Sequence, residues 1–225
     1  MRASIIALSL ALAACATTPG ASAPTAPFNA APTTQAQTPA PANYPIAADV
    51  PAGTYRLDPR HASVFFRIRH IGLSWFTARM NKVEASLELN AQDPSQSRLS
   101  ASVDATSVDT NVLNQAGERA FDRSIGNAIG AQRTQQITFT STSIERTGQY
   151  TARITGDLTL NGQTHPATLD ATFEGGAVDP LRGANEVLAF SAHGTIDRTQ
   201  WGVTQWGTVT GNDVQIVVEA EFVKA

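Results

Sequence analysis

Apolar and polar residues alternate along most of this chain with a period of two. Val64, Phe66, Ile68 and His70 interleave with Phe65, Arg67 and Arg69. Val83, Ala85, Leu87 and Leu89 interleave with Glu84, Ser86 and Glu88, and Leu99, Ala101, Val103 and Ala105 with Ser100, Ser102 and Asp104. The theme returns in Ile137 and Phe139, Ala152 and Ile154, Leu158 and Leu160, Ala167 to Phe173, Leu188 to Ile196 and Val214 to Phe222. Successive strand side chains point to opposite faces, so each run predicts a strand with one apolar and one solvated face. Turn residues separate the runs at Asp93-Pro94, Thr147-Gly148, Asn161-Gly162, Gly175-Gly176 and Gly211-Asn212. Of these, Asn161-Gly162 is the strongest hairpin signal. Many strands with short turns and no βαβ spacing predict an all-β fold, an antiparallel barrel or sandwich. A closed barrel of about eight strands can hold one small ligand.

Two stretches break the alternation. Between residues 111 and 134, helix-tolerant residues run from Leu113 to Arg123, and Phe121, Ile125 and Ile129 recur four apart on one helical face. Gly126 and Gly130 interrupt that face, so the reading is one helix or two short ones lying over a barrel opening. The other stretch is the first fifty residues. Met1-Arg2 precedes a short apolar run, Ile5 to Ala11, too short for a bilayer span of roughly 20 residues. It fits an export signal ending in small residues. Leu12-Ala13-Ala14-Cys15 resembles a bacterial lipobox, and Cys15 is the only cysteine in the chain. Residues 1–14 are therefore expected to be a lipoprotein signal peptide and Cys15 the lipid attachment site. From there to Val50, Ala, Pro, Thr, Gln and Ser dominate and charge is nearly absent. Such a segment cannot bury enough apolar surface to fold, so 15–50 reads as a disordered tether reaching up to roughly 100 Å at about 3.1 Å per residue. The folded domain is expected over 51–225. Ala16, not Asp, follows the cysteine; by resemblance to bacterial sorting, this places the chain in the periplasm, lipid-anchored to the outer membrane.

Charge narrows the function classes. The formal net charge is -3 and basic residues are scattered, which argues against nucleic acid as a partner. One cysteine excludes an intrachain disulfide and a cysteine metal cluster. The histidines, His61, His70, His165 and His193, form no local cluster, so hydrogen-bonded structural roles are favoured and no metal site is expected. His70 shares the face of Phe66 and Ile68 and is read as pointing inward, where a ligand head group would meet it. His165, before Pro166, reads as an exposed turn residue. No Gly-x-Ser-x-Gly elbow and no phosphate-cradling glycine loop occurs, so no catalytic residue and no cofactor is expected.

Several blocks, in order, resemble the YceI family. They are Tyr55-Arg56-Leu57-Asp58-Pro59-Arg60-His61, Val64 to Ser74, Ser107-Val108-Asp109-Thr110, Ile137 to Ser141, Gly156 to His165, Ile196 to Gly202 and Gly211-Asn212-Asp213-Val214. The chain departs from the family pattern at Ala62, Ala78, Met80, Ala128, Ile129, Arg133 and Gln135. The resemblance implies a lipocalin-like barrel with an apolar channel for amphiphilic isoprenoids, and no catalytic centre. On that footing the ligand-wall residues are Phe66, Ile68, His70, Phe76, Phe121, Ile125, Phe139, Phe190, Trp201 and Trp206. Asp58 and Arg198 are expected to pair structurally near the barrel's closed end. A polyprenyl tail could supply gross binding on the order of 10 kcal/mol through apolar burial alone, part of it lost to ordering the chain. The expected function is binding, sequestration or transfer of a long-chain isoprenoid or similar lipid at the cell envelope. The alternatives are a ligand-free, filled barrel serving as an envelope interaction or stress-response module and, further off, an enzyme on a lipid-like substrate. A homodimer is left open.

Overall fold

The computed structural model describes residues 50–180 and 185–225. Cys15, the signal segment 1–14 and the expected tether up to residue 49 lie outside the described residues. The strands are β1 (Gly53–His70), β2 (Ser74–Met80), β3 (Val83–Leu89), β4 (Arg98–Asp104), β5 (Val108–Asp109), β6 (Gln136–Arg146), β7 (Thr151–Leu160), β8 (Gln163–Asp179), β9 (Asn185–Asp197) and β10 (Thr210–Lys224). One α-helix, α1 (Ala120–Ala128), stands between β5 and β6.

The fold is a closed antiparallel barrel. The sheet runs β10-β9-β8-β7-β6-β4-β3-β1-β2-β5, and β10 pairs back onto β1. β2 and β3 lie end to end along one side of β1: Val64–His70 pairs with Ser74–Met80, and Gly53–Arg56 with Ser86–Leu89. The two-residue β5 only extends β2 at one rim. The circuit is therefore eight strands around: of the barrel and sandwich that the alternation allows, the chain forms the barrel that the family resemblance implies.

A bulge in β1 explains why its apolar parity changes. Tyr55 and Leu57 are odd-numbered, whereas Val64, Phe66 and Ile68 are even. Leu57 pairs with Phe222 and Ala62 with Ala220, so extra residues on β1 oppose a short step of β10. Asp58 builds the bulge: its Oδ1 accepts the backbone N–H of Arg60 at 3.1 Å, a local turn that competes with the ladder.

Three sequence expectations need correction. Gly175-Gly176 is no inter-strand turn but a bulge inside β8, where the register shifts between Phe173 and Gly175. Gly211-Asn212 lies inside β10, and the chain reverses earlier, over 202–209. The helix starts at Ala120, not near Leu113. The Asn114 side chain accepts the N–H groups of Ala116 and Glu118, both at 2.9 Å, and Gly117 takes a φ of 77°. That capped turn consumes the segment a longer helix would need.

The barrel has two dissimilar ends. The far end gathers the starts of β1 and β9 and the ends of β3, β8 and β10. There Tyr55, Leu87, Leu188, Ala220 and Phe222 pack with Phe173 and Phe190. At the other end, α1 and the 202–209 loop roof the opening.

Candidate functional site

The interior is not filled. Val64, Phe66, Leu99, Val103, Ile154, Leu169 and Ile216 all point inward from a closed sheet, yet each is only half-buried. They face a hollow of about 450 Å³, inside the range of roughly 300–1,000 Å³ typical of small-molecule sites. Its wall is almost wholly apolar; the polar exceptions include His70, Arg198, Gln205 and Thr210, which cluster at the helix end.

Nine of the ten ligand-wall residues named from the sequence line this hollow: Phe66, Ile68, His70, Phe76, Phe121, Ile125, Phe139, Phe190 and Trp206. Trp201 does not. It is 2% exposed, donates its indole N–H to the Leu158 carbonyl at 2.9 Å, and packs with Leu160, Ile196 and Val203 under the β7–β8 hairpin. It plugs one side of the barrel end. His165 also differs from expectation: it sits in β8, not in a turn, and is half-buried with its ring edge-on to Trp201 at 5.2 Å. His70 lines the hollow but is exposed, which places it at the mouth. Sequence reasoning favoured aromatics and missed most of the wall, which is aliphatic. Strand parity alone marks Val64, Leu99, Val103, Ile154, Leu169 and Ile216.

The roof is an aromatic chain. Phe121 of α1 meets Phe76 of β2 at 5.6 Å and Trp206 of the 202–209 loop at 6.1 Å, both edge-on. Ile125 and Ile129, one and two turns on, face the same hollow. The helix is held by a buried carboxylate. Asp122 accepts the Thr110 N–H at 3.0 Å and hydroxyl at 2.5 Å, and the Arg119 guanidinium at 3.1 Å. Burial pushes this carboxyl up, but the Thr110 and Arg119 contacts outweigh it and hold it below the usual carboxylate range. Arg119 also bonds Asp109 at the end of β5. Gly126 lets the helix approach its floor, since a Cβ there would come within 2.9 Å of the Ala105 carbonyl oxygen.

Arg198 holds the loop and does not pair with Asp58. It is 4% exposed and donates to the carbonyls of Gly211 (2.9 Å), Val203 (2.8 Å) and Gln205 (2.8 Å), and to the Thr210 hydroxyl (3.0 Å). Burial lowers its pKa from the ordinary arginine value, opposed by the neighbouring Asp197 charge. Asp58 lies elsewhere, in the β1 bulge. Its Oδ2 is 2.6 Å from His61 Nδ1 and its Oδ1 3.4 Å from Arg60 Nε. Each has its own partners, so the signature blocks fix two turns instead of one ion pair.

Around that bulge, Asp58, His61 and Glu221 bring ligand atoms within 4.8 Å of one another, an arrangement the i, i+3 spacing of Asp58 and His61 foreshadows. His61 Nδ1 already lies between the two carboxylates, 3.6 Å from Glu221 Oε2. The Arg60 guanidinium occupies the remaining Asp58 oxygen, a cation where a metal would need open coordination. Among the described residues the cluster ties β1 to β10 across the bulge.

Comparison with known proteins agrees with this architecture. A family profile described as YceI-like domain matches residues 55–222. A UPF0312 protein of Serratia proteamaculans (strain 568) is 31% identical over 176 residues, covering 77% of this chain and 88% of that protein. The crystal structure of BcnA from Burkholderia cenocepacia superposes with a TM-score of 0.59 at 18% identity, over 73% of this chain and 98% of that one. A polyisoprenoid binding domain from Saccharophagus degradans, implicated in plant cell wall breakdown, superposes with a TM-score of 0.52 at 11% identity, over 78% and 100%.

Proposed function

Because the chain belongs to the YceI-like domain family, we propose that its barrel holds a long-chain isoprenoid or similar amphiphilic lipid and performs no chemistry on it. The observation that carries this reading is the hollow of about 450 Å³ with its nearly unbroken apolar wall. Such a wall gains about 25 cal/mol for each Å² of hydrocarbon it removes from water, and it needs no ionic contact to do so. The polar groups near the mouth, His70, Gln205 and Thr210, stand where an amphiphile's head would emerge. The likeness to a polyisoprenoid binding domain supports the same ligand class. The rival, a filled barrel with no ligand, has to account for a hollow of about 450 Å³ lined by seven inward side chains that stay only half-buried. The departures from the family pattern at Ala62, Met80, Ala128 and Ile129 all stand on the wall, so the ligand's shape is where this chain differs from the pattern.

The same proposal places the barrel at the cell envelope: exported, lipidated at Cys15, tethered in the periplasm to the outer membrane. The intact mass of the membrane-extracted protein checks it. An acylated N-terminal cysteine, lost in Cys15→Ala, is expected; an unmodified thiol would refute the anchor.

The test of binding is native mass spectrometry of the full chain purified from its host membrane, followed by organic extraction. A stoichiometric lipid that Ala192→Phe displaces is expected, because Ala192 faces the hollow from β9 and a ring there fills it. Absence of any lipid, together with no uptake of polyprenol analogues, would sink the proposal.

A further inference from the structure

Two tight turns at the helix end each place two successive residues at positive φ and differ in sequence: Asn161 and Gly162 link Leu160 to Gln163, and Ile71 and Gly72 open the three-residue link from His70 to Ser74. Asn161 and Gly162 have φ of 53° and 75°; Ile71 and Gly72 have 44° and 72°. Both central positions are left-handed, as the mirror-image hairpin turn requires, and the ordinary occupants are Asn and Gly. Asn161 fits that rule, is buried, and donates its side-chain N–H to the Trp201 carbonyl at 2.9 Å. Ile71 does not fit it. A β-branched residue with positive φ is a genuine outlier and carries local strain. Yet Ile71 is 56% exposed, followed by Leu73 at 76%. Nothing in packing rewards an isoleucine there, so the strain points to use of the exposed side chain.

The neighbours of this turn are of the same kind. The Ile71 N–H donates to the Val209 carbonyl at 2.7 Å, and Val209 is itself exposed, as is Phe121. Val112 and Leu113, also exposed, lie on the segment that leads from Thr110, itself bonded to Asp122, into α1. Among the described residues eight large apolar side chains are exposed, and these six belong to the helix end; only Tyr150 and Val178 do not. Val209 and Phe121 also line the hollow, so the patch is continuous with the mouth. Cations frame it. Arg69 and Arg67 lie over the Trp75 ring at 4.2 and 5.2 Å, Arg69 also donates to the Leu73 carbonyl at 3.2 Å, and Arg123 is exposed on α1.

We infer that this collar docks on the surface of an anionic lipid bilayer, so that the hollow opens onto the membrane and the lipid passes between them without crossing water. The inference rests on the lipid-binding reading and adds the partner surface. Apolar tips inserted at the acyl boundary with flanking arginines at the phosphates are the elements of interfacial binding. An apolar rim continuous with an apolar cavity also removes the barrier a hydrocarbon tail would meet in leaving the membrane.

The test uses the full chain carrying Cys15→Ala, so that no lipid anchor contributes. It is floated with vesicles of phosphatidylcholine alone and of phosphatidylethanolamine and phosphatidylglycerol in equal parts. Co-flotation with the anionic vesicles is expected, weakened by salt, and reduced roughly tenfold or more by Ile71→Asp with Leu73→Asp. Asp tolerates the left-handed region better than Ile, so the double variant is expected to unfold at no lower temperature than its parent. Val178→Asp, at the other end, is expected to leave flotation unchanged. Uptake of farnesol from solution, followed by quenching of Trp206, is read in parallel. Farnesol uptake without flotation, or flotation indifferent to the double variant, overturns docking and leaves lipid binding standing; loss of farnesol uptake in the parent overturns the reading beneath it. A concentration-dependent dimer that the double variant dissociates would assign the collar to a second copy of the chain and likewise overturn docking.

Discussion

The two ends of the barrel are written in the same alternating code and become opposite structures. At the far end Tyr55 is fully buried, with its hydroxyl donating to the Pro51 carbonyl at 2.7 Å. Phe190 meets Phe173 at 5.3 Å and Phe222 at 5.9 Å, and Leu188 fills the remaining space at 2% exposure. At the mouth, Phe121 keeps 39% of its surface exposed, and the roof is one short helix and one loop, each held by polar contacts. Alternation decides which side chains face inward. Whether they meet a partner depends on how many large rings converge on one level of the barrel. Four do at the far end; along the middle the facing residues are largely aliphatic, and at the mouth the rings of Phe76, Phe121 and Trp206 join edge-on in the roof, so the lumen between stays open.

The largest effects should therefore come from the plug. Leu188→Ala is expected to cost about 2–5 kcal/mol, read as a lower midpoint in urea, while uptake of a polyprenol analogue persists, since Leu188 does not line the hollow. A Leu188→Ala protein as stable as the parent would erase the distinction between the ends. Next in size is Arg198→Met, which leaves three carbonyls and a hydroxyl without their donor. With an unsatisfied buried polar group worth about 1–3 kcal/mol, a loss of about 3 kcal/mol is expected. The damage should centre on the 198–209 loop, read as faster amide exchange there than in β3 or β8. Arg198→Lys should rescue little, because an ammonium cannot reproduce the planar fork that spans these oxygens.

The difference between the ends also bounds what the sequence disclosed. Strand identity and the inward residues were legible, because a period of two maps directly onto faces; closure near eight strands came from the family resemblance, since the alternation suits a sandwich equally well. Trp201 was misplaced because parity says nothing of a residue in a 3-10 turn, and its indole folds back under Leu158. The Asp58–Arg198 pair failed for a related reason. Both sit in signature blocks, but each meets a local backbone demand, a bulge for one and a loop for the other, and opposite charge alone does not bring two turns together. The late start of α1 turned on Asn114 capping its own turn. The hollow itself could not be read, since its volume is a property of how eight strands pack around one another.

A smaller effect would sharpen the contrast by pH. Asp122 is held below the usual carboxylate range in the fold, so its stabilisation is complete above the unfolded value near 4 and is lost as pH falls through the folded value. Below about pH 4 the tie between Thr110 and α1 should loosen while the far-end plug, which is apolar, does not respond through this group. Amide exchange in α1 should accelerate in acid relative to β8, and Asp122→Ala, costing about 2 kcal/mol, should abolish that acid step. Exchange rising equally in both regions would mean that the roof is no separate unit.

The smallest change in stability should carry the clearest functional signature. Phe121→Ser removes one ring that is already partly exposed, and with it two edge-on contacts worth about 0.5–1.5 kcal/mol each at full burial. A net loss of about 1 kcal/mol is expected once the exposure is discounted. The consequence for exchange is larger than that figure suggests, because the Phe121 ring bridges Phe76 on β2 and Trp206 on the loop, and removing it opens the roof at its middle. Release of a bound fluorescent polyprenol into acceptor vesicles should quicken several-fold in Phe121→Ser and stay at the parental rate in Leu188→Ala, reversing the order of the two variants in stability. Equal release rates in all three proteins would mean that lipid leaves by neither end, and the division of the barrel into plug and mouth would lose its functional meaning.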